Sequence, residues 1–205
     1  MKPKRCKMCK GVFIPKRPLQ AVCSYLCASQ YAKNQKEAKA KKDWQKEKEV
    51  RKEKLMTPAD YKAILQANIN HIVRLIDKGS PCIATNTDKG KMNAGHYISV
   101  GANDTIRFHL DNIHIQSEHS NTFKSGDTIR YRDGIVRVYG QNYLNHMDSL
   151  KSIKSINLSI EDLKEIIKIS IQIKKELIAA NDVYAPFQRL ELRAKYNQQL
   201  NIYQL

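Results

Sequence analysis

The sequence lacks several features that would assign it to a common class. It has no stretch of about 18 consecutive apolar residues, so no membrane-spanning helix is expected. The basic start MKPKRCKMCK is not followed by an apolar segment, which argues against a secretory signal. There are only five cysteines, an odd number that does not suit a disulfide framework. We also find no internal repeat, and these absences predict a cytoplasmic protein with no membrane partner.

The net charge of +16 is concentrated at one end of the chain. Residues 1–56 hold 17 Lys and Arg against 5 Asp and Glu, which gives +12 and leaves +4 for the other 149 residues. Such a basic field favours polyanionic partners, and DNA is the partner that we predict.

Four of the five cysteines lie within residues 1–30 as two close pairs, Cys6-x2-Cys9 and Cys23-x3-Cys27. Thiolates held in pairs on two chain segments can complete a tetrahedral shell around Zn²⁺. Four unmetallated thiols are the alternative, but they would leave this short module without a core. We therefore predict a structural zinc module at 1–30.

Residues 31–56 are rich in Ala, Lys, Glu and Gln, which are good helix formers. The segment is predicted to be a basic helical linker. A solvated helix and a helix lying along DNA phosphates are both compatible with this composition.

A supporting helix is predicted at 57–80. Thr57 is a candidate N-cap, Pro58 suits the first helical position, and Asp60 is placed to complete a capping box. Apolar residues then recur at helical spacing as far as "DKGSP".

The C-terminal helices are predicted at 146–205. Ser159 and Asp162 form a second candidate capping box, and a last helix is expected to begin near Pro186. Within the first of these helices Ile169, Ile171 and Ile173 alternate in a manner typical of a strand, which weakens the helical interpretation.

Residues 81–145 have a different sequence pattern, in which short apolar runs alternate with Gly, Asn and Asp. "HYISVGANDTIRFHLDNIHIQ" is typical of strand, turn and strand. "SEHSNTFKSGD" is predicted to be a short helix closing at Gly126. "TIRYRDGIVRVYG" is compatible with either a strand or a helix.

The stretch 93–121 could carry phosphodiester hydrolysis. That reaction needs a base for water and positive charge for the phosphate and the leaving oxygen. A histidine can be the base near neutral pH, and an asparagine carbonyl can ligate Mg²⁺ or orient an imidazole. His96, Asn112 and Asn121 are the candidates, although a polar hairpin with no catalytic role would contain the same residue types.

Several short motifs in one register resemble the phage lambda NinG family, also called Rap. They are "PCI", "AGHYISVGA", "IRFHLDNIHIQ", Asn121 and "KSG" at 124–126. The resemblance runs from about Pro81 to Arg132 and more loosely includes the cysteine module and the Lys/Glu helix. These are recombination proteins of the HNH type that act as structure-specific endonucleases on branched DNA.

The resemblance implies a role for each matching residue. His96 would be the general base, Asn112 would hold the hairpin and orient that base, and Asn121 would ligate a catalytic Mg²⁺ or Mn²⁺. His114 matches a family histidine that contacts phosphate or metal, or only packs.

Three residues are the predicted DNA contacts, namely Arg107, Lys124 and Arg130. The alternatives are a place for Arg107 at the rim of the hairpin, with Tyr97 and Phe108, and a solvated Lys124. His109 and His119 are expected to be ordinary packing or surface residues.

The chain departs from the family pattern in two ways. The pattern has two further cysteine pairs around the hairpin, but this chain keeps only the first cysteine; the four positions are Cys82, Thr85, Ser117 and Ser120. A second structural zinc is therefore not expected, since even with His119 at most two ligands remain. Gly95 stands where many HNH sites have a metal ligand, so the second ligand is unidentified, with Asn93, Asp111 and His114 as candidates.

We accordingly predict an α+β protein with a ββα-metal (HNH) nuclease core at 81–145, an N-terminal four-cysteine zinc module and flanking helices. The predicted function is metal-dependent endonucleolytic cleavage of a Holliday junction or D-loop. Phage recombination proteins are the implied partners, in a bacterial host, and symmetric cutting would suit a homodimer. The alternatives are a catalytically inactive protein that binds branched DNA and, on residues 1–30 alone, a zinc-ribbon transcription factor.

Overall fold

The computed structural model of the protein describes residues 1–123 and 127–203. The chain divides into two compact units, Met1–Met56 and Thr57–Leu205. Within the described residues, no helix is both long and apolar enough to cross a membrane.

Two short strands and one long helix make up the first unit. Strand β1 (Lys4–Arg5) pairs antiparallel with β2 (Val12–Phe13). Helix α1 (Tyr25–Lys54) begins after Ser24, whose hydroxyl accepts a hydrogen bond from the backbone N–H of Cys27. No residue of α1 is buried. The predicted basic helix is confirmed, but it begins early enough to hold Cys27 in its first turn.

Helix α2 (Pro58–Ile76) opens the second unit and begins where the sequence predicts. Thr57 accepts a hydrogen bond from the Asp60 N–H, and the Asp60 carboxylate accepts one from the Thr57 N–H at 2.8 Å, which completes the capping box. The apolar residues that the helix buries completely are Leu65, Ile69, Ile72, Val73 and Ile76.

A two-stranded antiparallel hairpin lies in the second unit, but its first strand ends at His96, where the predicted strand begins. Strand β3 (Met92–His96) pairs with β4 (Ile113–Ser117). The register sets Gly95 opposite His114 and Asn93 opposite Gln116. Because opposed residues share a face of the sheet, these four positions lie on one side of the hairpin.

Beyond β4 the chain forms a short π-helical turn, His119–Phe123, and the predicted closure at Gly126 lies outside the described residues. The ambiguous segment that follows is helical, as α3 (Thr128–Tyr139). A methyl group on Gly134 would lie 1.7 Å from the carbonyl oxygen of Ile83, so α3 can pack against that carbonyl only with glycine there.

Three α-helices follow in the part of the unit that the structure describes, namely α4 (Gln141–Ser149), α5 (Ile160–Ala180) and α6 (Pro186–Leu200). The starts predicted from Ser159 and Pro186 are confirmed. The strand-like alternation is overridden, because α5 packs along α2 and buries residues at helical spacing, with Ile173 buried and Ile171 exposed.

A buried ion pair fastens the hairpin to the helices. Asp77, just after α2, accepts hydrogen bonds from the Ile115 N–H and from Arg193 of α6, both at 2.9 Å. Arg193 also donates to the carbonyls of Ile113 at 3.1 Å and Leu110 at 3.3 Å. Both charged side chains are almost fully buried, so β4 is held by charge-assisted bonds shielded from water.

Candidate functional site

The four N-terminal cysteines come together in the first unit. Their sulfur atoms all lie within 4.8 Å of one another, and Cys9–Cys23 and Cys23–Cys27 are each 3.6 Å apart. Four thiolates around Zn²⁺, each about 2.3 Å from the ion, would be separated by about 3.8 Å. The cluster could therefore hold a zinc ion.

A tight backbone turn presents the first pair of thiols. In this first cysteine turn, residues 6–11, the Cys6 N–H donates to Gly11 O at 2.8 Å and the Lys10 N–H donates to Cys6 O at 3.0 Å. Lys10 takes a positive φ of 63° to close the turn. Burial opposes ionisation of Cys6, but hydrogen bonds, chiefly from the backbone of Cys9 and Cys23, outweigh burial and lower its pKa to about 6.

A second cysteine turn, residues 82–87, has the same hydrogen-bond pattern. The Cys82 N–H donates to Thr87 O at 2.7 Å, the Asn86 N–H donates to Cys82 O at 2.8 Å, and Asn86 has a φ of 57°. Its thiol is buried, yet hydrogen bonding with Ser117 and Thr85 lowers its pKa.

The positions that carry cysteines in the family pattern are therefore gathered around this second turn. The Ser120 N–H donates to the Ser117 hydroxyl at 3.3 Å, and Ser120 is completely buried. One thiol and three hydroxyls stand where four thiols would be needed, and neutral hydroxyls do not form a structural zinc shell.

His96 ends strand β3, and its ring is held by the backbone. Nε2 lies 3.0 Å from the carbonyl oxygen of Arg107. Because a carbonyl only accepts, Nε2 carries the proton and Nδ1 keeps its lone pair. Burial lowers the pKa of His96; the hydrogen bond to the Arg107 carbonyl opposes this shift and the Arg107 charge adds to it. The imidazole is thus neutral near pH 7 with one nitrogen able to accept a proton.

Asn112 lies in a 3-10 turn, Leu110–Asn112, immediately before β4, and is completely buried. Its side-chain oxygen accepts a hydrogen bond from the Ile98 N–H at 2.8 Å, and its amide donates back to Ile98 O at 3.0 Å. Its own carbonyl accepts from the Tyr97 N–H at 2.8 Å. Asn112 therefore ties the chain just after His96 to the start of β4.

Asn121 lies in the π-helical turn and reaches back to β3. A methyl group placed on Gly95 would come within 2.9 Å of Asn121 Oδ1 and 2.1 Å of Gln116 Oε1. Gly95 is therefore required by the two amide side chains that occupy the space beside it. The structure thus brings Asn121 next to the residue that precedes His96.

His114 is fully buried among tyrosines. Its Nδ1 lies 3.1 Å from the hydroxyl of Tyr131, which itself donates to Gly95 O at 3.0 Å. That hydroxyl therefore accepts from His114. Burial, and then the charges of Arg193 and Arg189, hold the pKa of His114 well below its usual range. Of the roles left open for His114, packing that orients Gly95 fits this position.

The predicted DNA contacts have different surroundings. Arg107 is tied down by hydrogen bonds to Gln66 at 3.2 Å and Asp104 at 2.9 Å, as expected for a rim residue. Arg130 on α3 is exposed, with its guanidinium 3.9 Å from Asp127. Lys124 lies outside the described residues. The roles of all three as DNA contacts remain predictions.

The sequence named Asp111 only as a candidate metal ligand and did not predict the polar cluster around it. Asp111 accepts hydrogen bonds from Tyr143 at 2.9 Å and Asn197 at 3.3 Å and lies 3.2 Å from His146 Nε2. The bond to Asp111 raises the pKa of His146, although burial opposes this. His109 is buried beside the cluster, while His119 is exposed. The partners come from two helices far along the chain, α4 and α6, so only the neighbourhood of Asp111 to Asn112 hinted at them.

A cysteine cluster suited to zinc and a polar hairpin braced by helices together define a small, helix-rich protein of mixed α and β structure. The family model described as "Bacteriophage Lambda NinG protein" matches residues 1–179. The chain belongs to the NinG family.

Individual relatives agree with this assignment. The chain is 31% identical over 161 residues to "Protein ninG" of Enterobacteria phage H19B, a match covering 71% of this chain and 80% of the relative. It is 30% identical over 161 residues, with the same coverage, to the protein of that name from Escherichia phage 933W. The lambda protein is 33% identical over 85 residues, 41% of this chain and 42% of the relative. No solved structure matches the chain significantly.

Proposed function

We propose that this protein is a metal-dependent, structure-specific endonuclease of the HNH type that cuts branched recombination intermediates such as a Holliday junction or D-loop. One observation carries the proposal: His96 has a neutral ring, oriented through Nε2 by the Arg107 carbonyl. The NinG resemblance supplies the substrate class.

His96 acts as the general base. Its Nδ1 accepts a proton from the attacking water while Nε2 stays hydrogen-bonded to the backbone, so the ring does not have to reorient during the reaction. A positioned base of this kind contributes about 10²- to 10⁴-fold to the rate. Because the pKa of His96 is lowered, its ring stays unprotonated at pH values where an ordinary histidine would begin to take up a proton.

Asn112 is a positioning residue in this proposal. Its two hydrogen bonds to Ile98 fix the backbone two residues beyond His96. The Asn112 side chain bonds to both the N–H and the carbonyl of Ile98 and is fully buried. It therefore acts by holding the hairpin and does not touch the substrate.

Asn121 would hold the divalent ion. Its side-chain oxygen lies 2.9 Å from the point where a methyl group on Gly95 would be, next to the residue before His96. Neutral oxygen ligands with room for water and phosphate suit Mg²⁺ or Mn²⁺. A bound ion would supply positive charge for the scissile phosphate and the leaving 3′-oxygen, which gives a 5′-phosphate end.

The first unit binds DNA without sequence specificity. It carries 17 Lys and Arg against 5 Asp and Glu, and α1 buries none of its residues. Contacts between such a surface and phosphates release counterions from DNA, and this release is less favourable at high salt, so affinity falls steeply with ionic strength. Arg130 and Lys124 are proposed as further phosphate contacts, and paired nicks across a junction would call for a homodimer.

The test is cleavage of a labelled four-way junction beside a linear duplex of the same sequence, with Mg²⁺ or Mn²⁺. His96→Ala is expected to lose cleavage by at least about 10²-fold while still binding the junction. His71→Ala is the matched control, because it removes a histidine of α2 that lies outside the hairpin. It should cut as the unaltered protein does.

A protein that binds junctions tightly but never cuts them with either metal would overturn the proposal. That result would favour the second candidate, a catalytically inactive protein that holds branched DNA. The observation behind this candidate is the incomplete cysteine set around residues 82–87, where three hydroxyls replace thiols. Sequence-selective binding to linear duplex would instead favour a zinc-ribbon transcription factor.

A further inference from the structure

The space beside Gly95 is filled by side chains from other parts of the chain. A carbon atom in the place of its hydrogen would lie 2.1 Å from Gln116 Oε1 and 2.9 Å from Asn121 Oδ1. The first distance is close to that between a carboxylate oxygen and its own Cβ. The oxygen of Gln116 therefore lies in the space that an aspartate side chain at position 95 would occupy.

The strand register explains how Gln116 reaches this position. Gly95 is opposite His114, and Gln116 is two residues further along β4. Gly95 and Gln116 are therefore diagonal neighbours on one face of the hairpin. His114 turns toward Tyr131, and this leaves the face beside Gly95 to Gln116. Gln116 is completely buried and anchored in the paired strand, so its oxygen is held in place.

Two amide oxygens consequently converge beside the residue that precedes His96. Since both are near one point, Gln116 Oε1 and Asn121 Oδ1 are separated by no more than about 5 Å. Two oxygens at Mg²⁺ coordination distance, about 2.1 Å from a shared ion, are separated by about 3–4 Å. The upper limit on their separation is therefore compatible with a shared ion.

Other polar residues of the hairpin are committed elsewhere. Asp111 is engaged by Tyr143, His146 and Asn197. His114 is buried and bonded to Tyr131. Asn93 hydrogen-bonds Glu118, which is paired with Lys91 at 2.7 Å. None of these is among the three atoms nearest to a methyl group placed on Gly95, which belong to Gln116 and Asn121.

We propose that Gln116 is the second protein ligand of the divalent ion, from the neighbouring strand, in place of the acidic or histidine residue that Gly95 does not provide. This inference rests on the proposed function. Both ligands are neutral, so the free protein should bind Mn²⁺ weakly and bound DNA phosphate should strengthen binding.

The test measures Mn²⁺ binding by electron paramagnetic resonance on the zinc-loaded full chain, alone and with a four-way junction. His96→Ala is the background for the measurement with DNA, so that the substrate stays intact. Gln116→Glu keeps the shape and adds charge, and it is expected to tighten Mn²⁺ binding by about tenfold or more. Gln116→Ala is expected to weaken it by about tenfold.

A ligand swap separates a metal role from a structural one. Gly95→Asp combined with Gln116→Ala removes the closest clash, the one with Gln116 Oε1, and returns a carboxylate to β3. The pair should therefore recover Mn²⁺ binding that Gln116→Ala loses. A Gln116 that only packs would give no recovery. Thermal unfolding of each variant checks that the hairpin is intact, and Gln116→Glu still tests the proposal if Gln116→Ala does not fold.

The outcomes distinguish this inference from the proposed function. If Gln116→Glu binds Mn²⁺ like the unaltered chain, with or without the junction, Gln116 is not a ligand, whether or not the protein cuts DNA. If the charge change and the swap act as expected but no junction is cut, the ion site stands and the nuclease proposal fails. Absence of any Mn²⁺ binding in the presence of junction DNA would overturn the inference.

Discussion

The two cysteine turns, residues 6–11 and 82–87, have the same backbone and different surroundings. Each closes with the same pair of hydrogen bonds and with one residue at positive φ. Around the first turn, the only buried residues of 1–56, all of which are described, are Cys6 and Pro15. Around the second, Cys82 and the two residues after it belong to a hydrophobic core that includes Tyr131 and Ile135.

This difference shows that the same backbone turn can be stabilised either by a bound metal ion or by packing against a hydrophobic core. The first unit buries too little apolar surface to hold its turn, so four thiols around zinc would supply the stabilisation. In the second unit the helices already hold the turn, and three of the four thiols can be hydroxyls without loss of its shape. A metal ligand set is dispensable where packing fixes the same backbone.

The largest expected effect is loss of the first unit's fold on replacing Cys6 with Ser. Zinc binding to such a module contributes about 10 kcal/mol or more, and three thiols would retain only part of it. Zinc content and the dispersion of amide resonances from residues 1–24 would report the change. The matched substitution Cys82→Ser should cost about 1 kcal/mol, because packing holds that turn. A first unit that stays folded in Cys6→Ser would contradict this comparison.

A smaller gain is expected from restoring the missing thiols of the second turn. Thr85→Cys, Ser117→Cys and Ser120→Cys together would complete a four-cysteine set with Cys82, and zinc content should rise from one to two ions per chain. Cobalt absorption would check that the new site is tetrahedral. Adding Cys82→Ser to the triple variant should lose most of the gain. A triple variant that still holds a single zinc would mean that the second turn is not arranged for metal.

The packing that replaces the metal can be broken at Gly134. Alanine there would place a methyl group against the carbonyl of Ile83 and push α3 from the second turn, at a cost of about 3 kcal/mol. This should outweigh the better helix propensity of alanine. Urea unfolding would measure it, with Gly101→Ala as control, because no atom lies within 4 Å of a methyl group at that position. Equal stability of the two variants would contradict the proposed role of this contact.

The smallest effect concerns the residues at positive φ. Lysine is strained in this conformation, so Lys10→Gly should stabilise the zinc-loaded first unit by up to about 1 kcal/mol. Asparagine tolerates it better, so Asn86→Gly should change stability by a few tenths of a kcal/mol at most. Thermal unfolding of the loaded protein would rank the two. A larger gain at Asn86 than at Lys10 would reverse the expected order.

The elements best predicted from the sequence are those with local causes. The capping boxes at Thr57 and Ser159 and the proline at 186 fixed three helix starts, because each acts through bonds within a few residues. The second strand of the hairpin followed from the alternation in "NIHIQ", but the first strand lies before the apolar run "YISV" that suggested it. The segment 128–139 stayed ambiguous because its apolar positions suit either period, and contact with the rest of the fold decided it.

The surroundings of the candidate site were less accessible. His96, Asn112 and Asn121 could be named from the resemblance, but their bonds to Arg107 and Ile98 depend on how a loop folds back. The filling of the Gly95 space by Gln116 depends on strand register. The cluster around Asp111 depends on α4 and α6 meeting the turn before β4. Pairings of this kind join residues distant in sequence, so no local pattern records them.

Because of the ion pair between Asp77 and Arg193, the hairpin cannot be transferred to another protein by itself. The family match ends at residue 179, yet Arg193, which fastens β4, lies beyond it on α6. A chimera that joined this hairpin to the tail of a relative without a matching arginine would leave Asp77 as a lone charge in the interior. Such an orphaned charge costs about 3–5 kcal/mol, so the hairpin should be transplanted only together with α6.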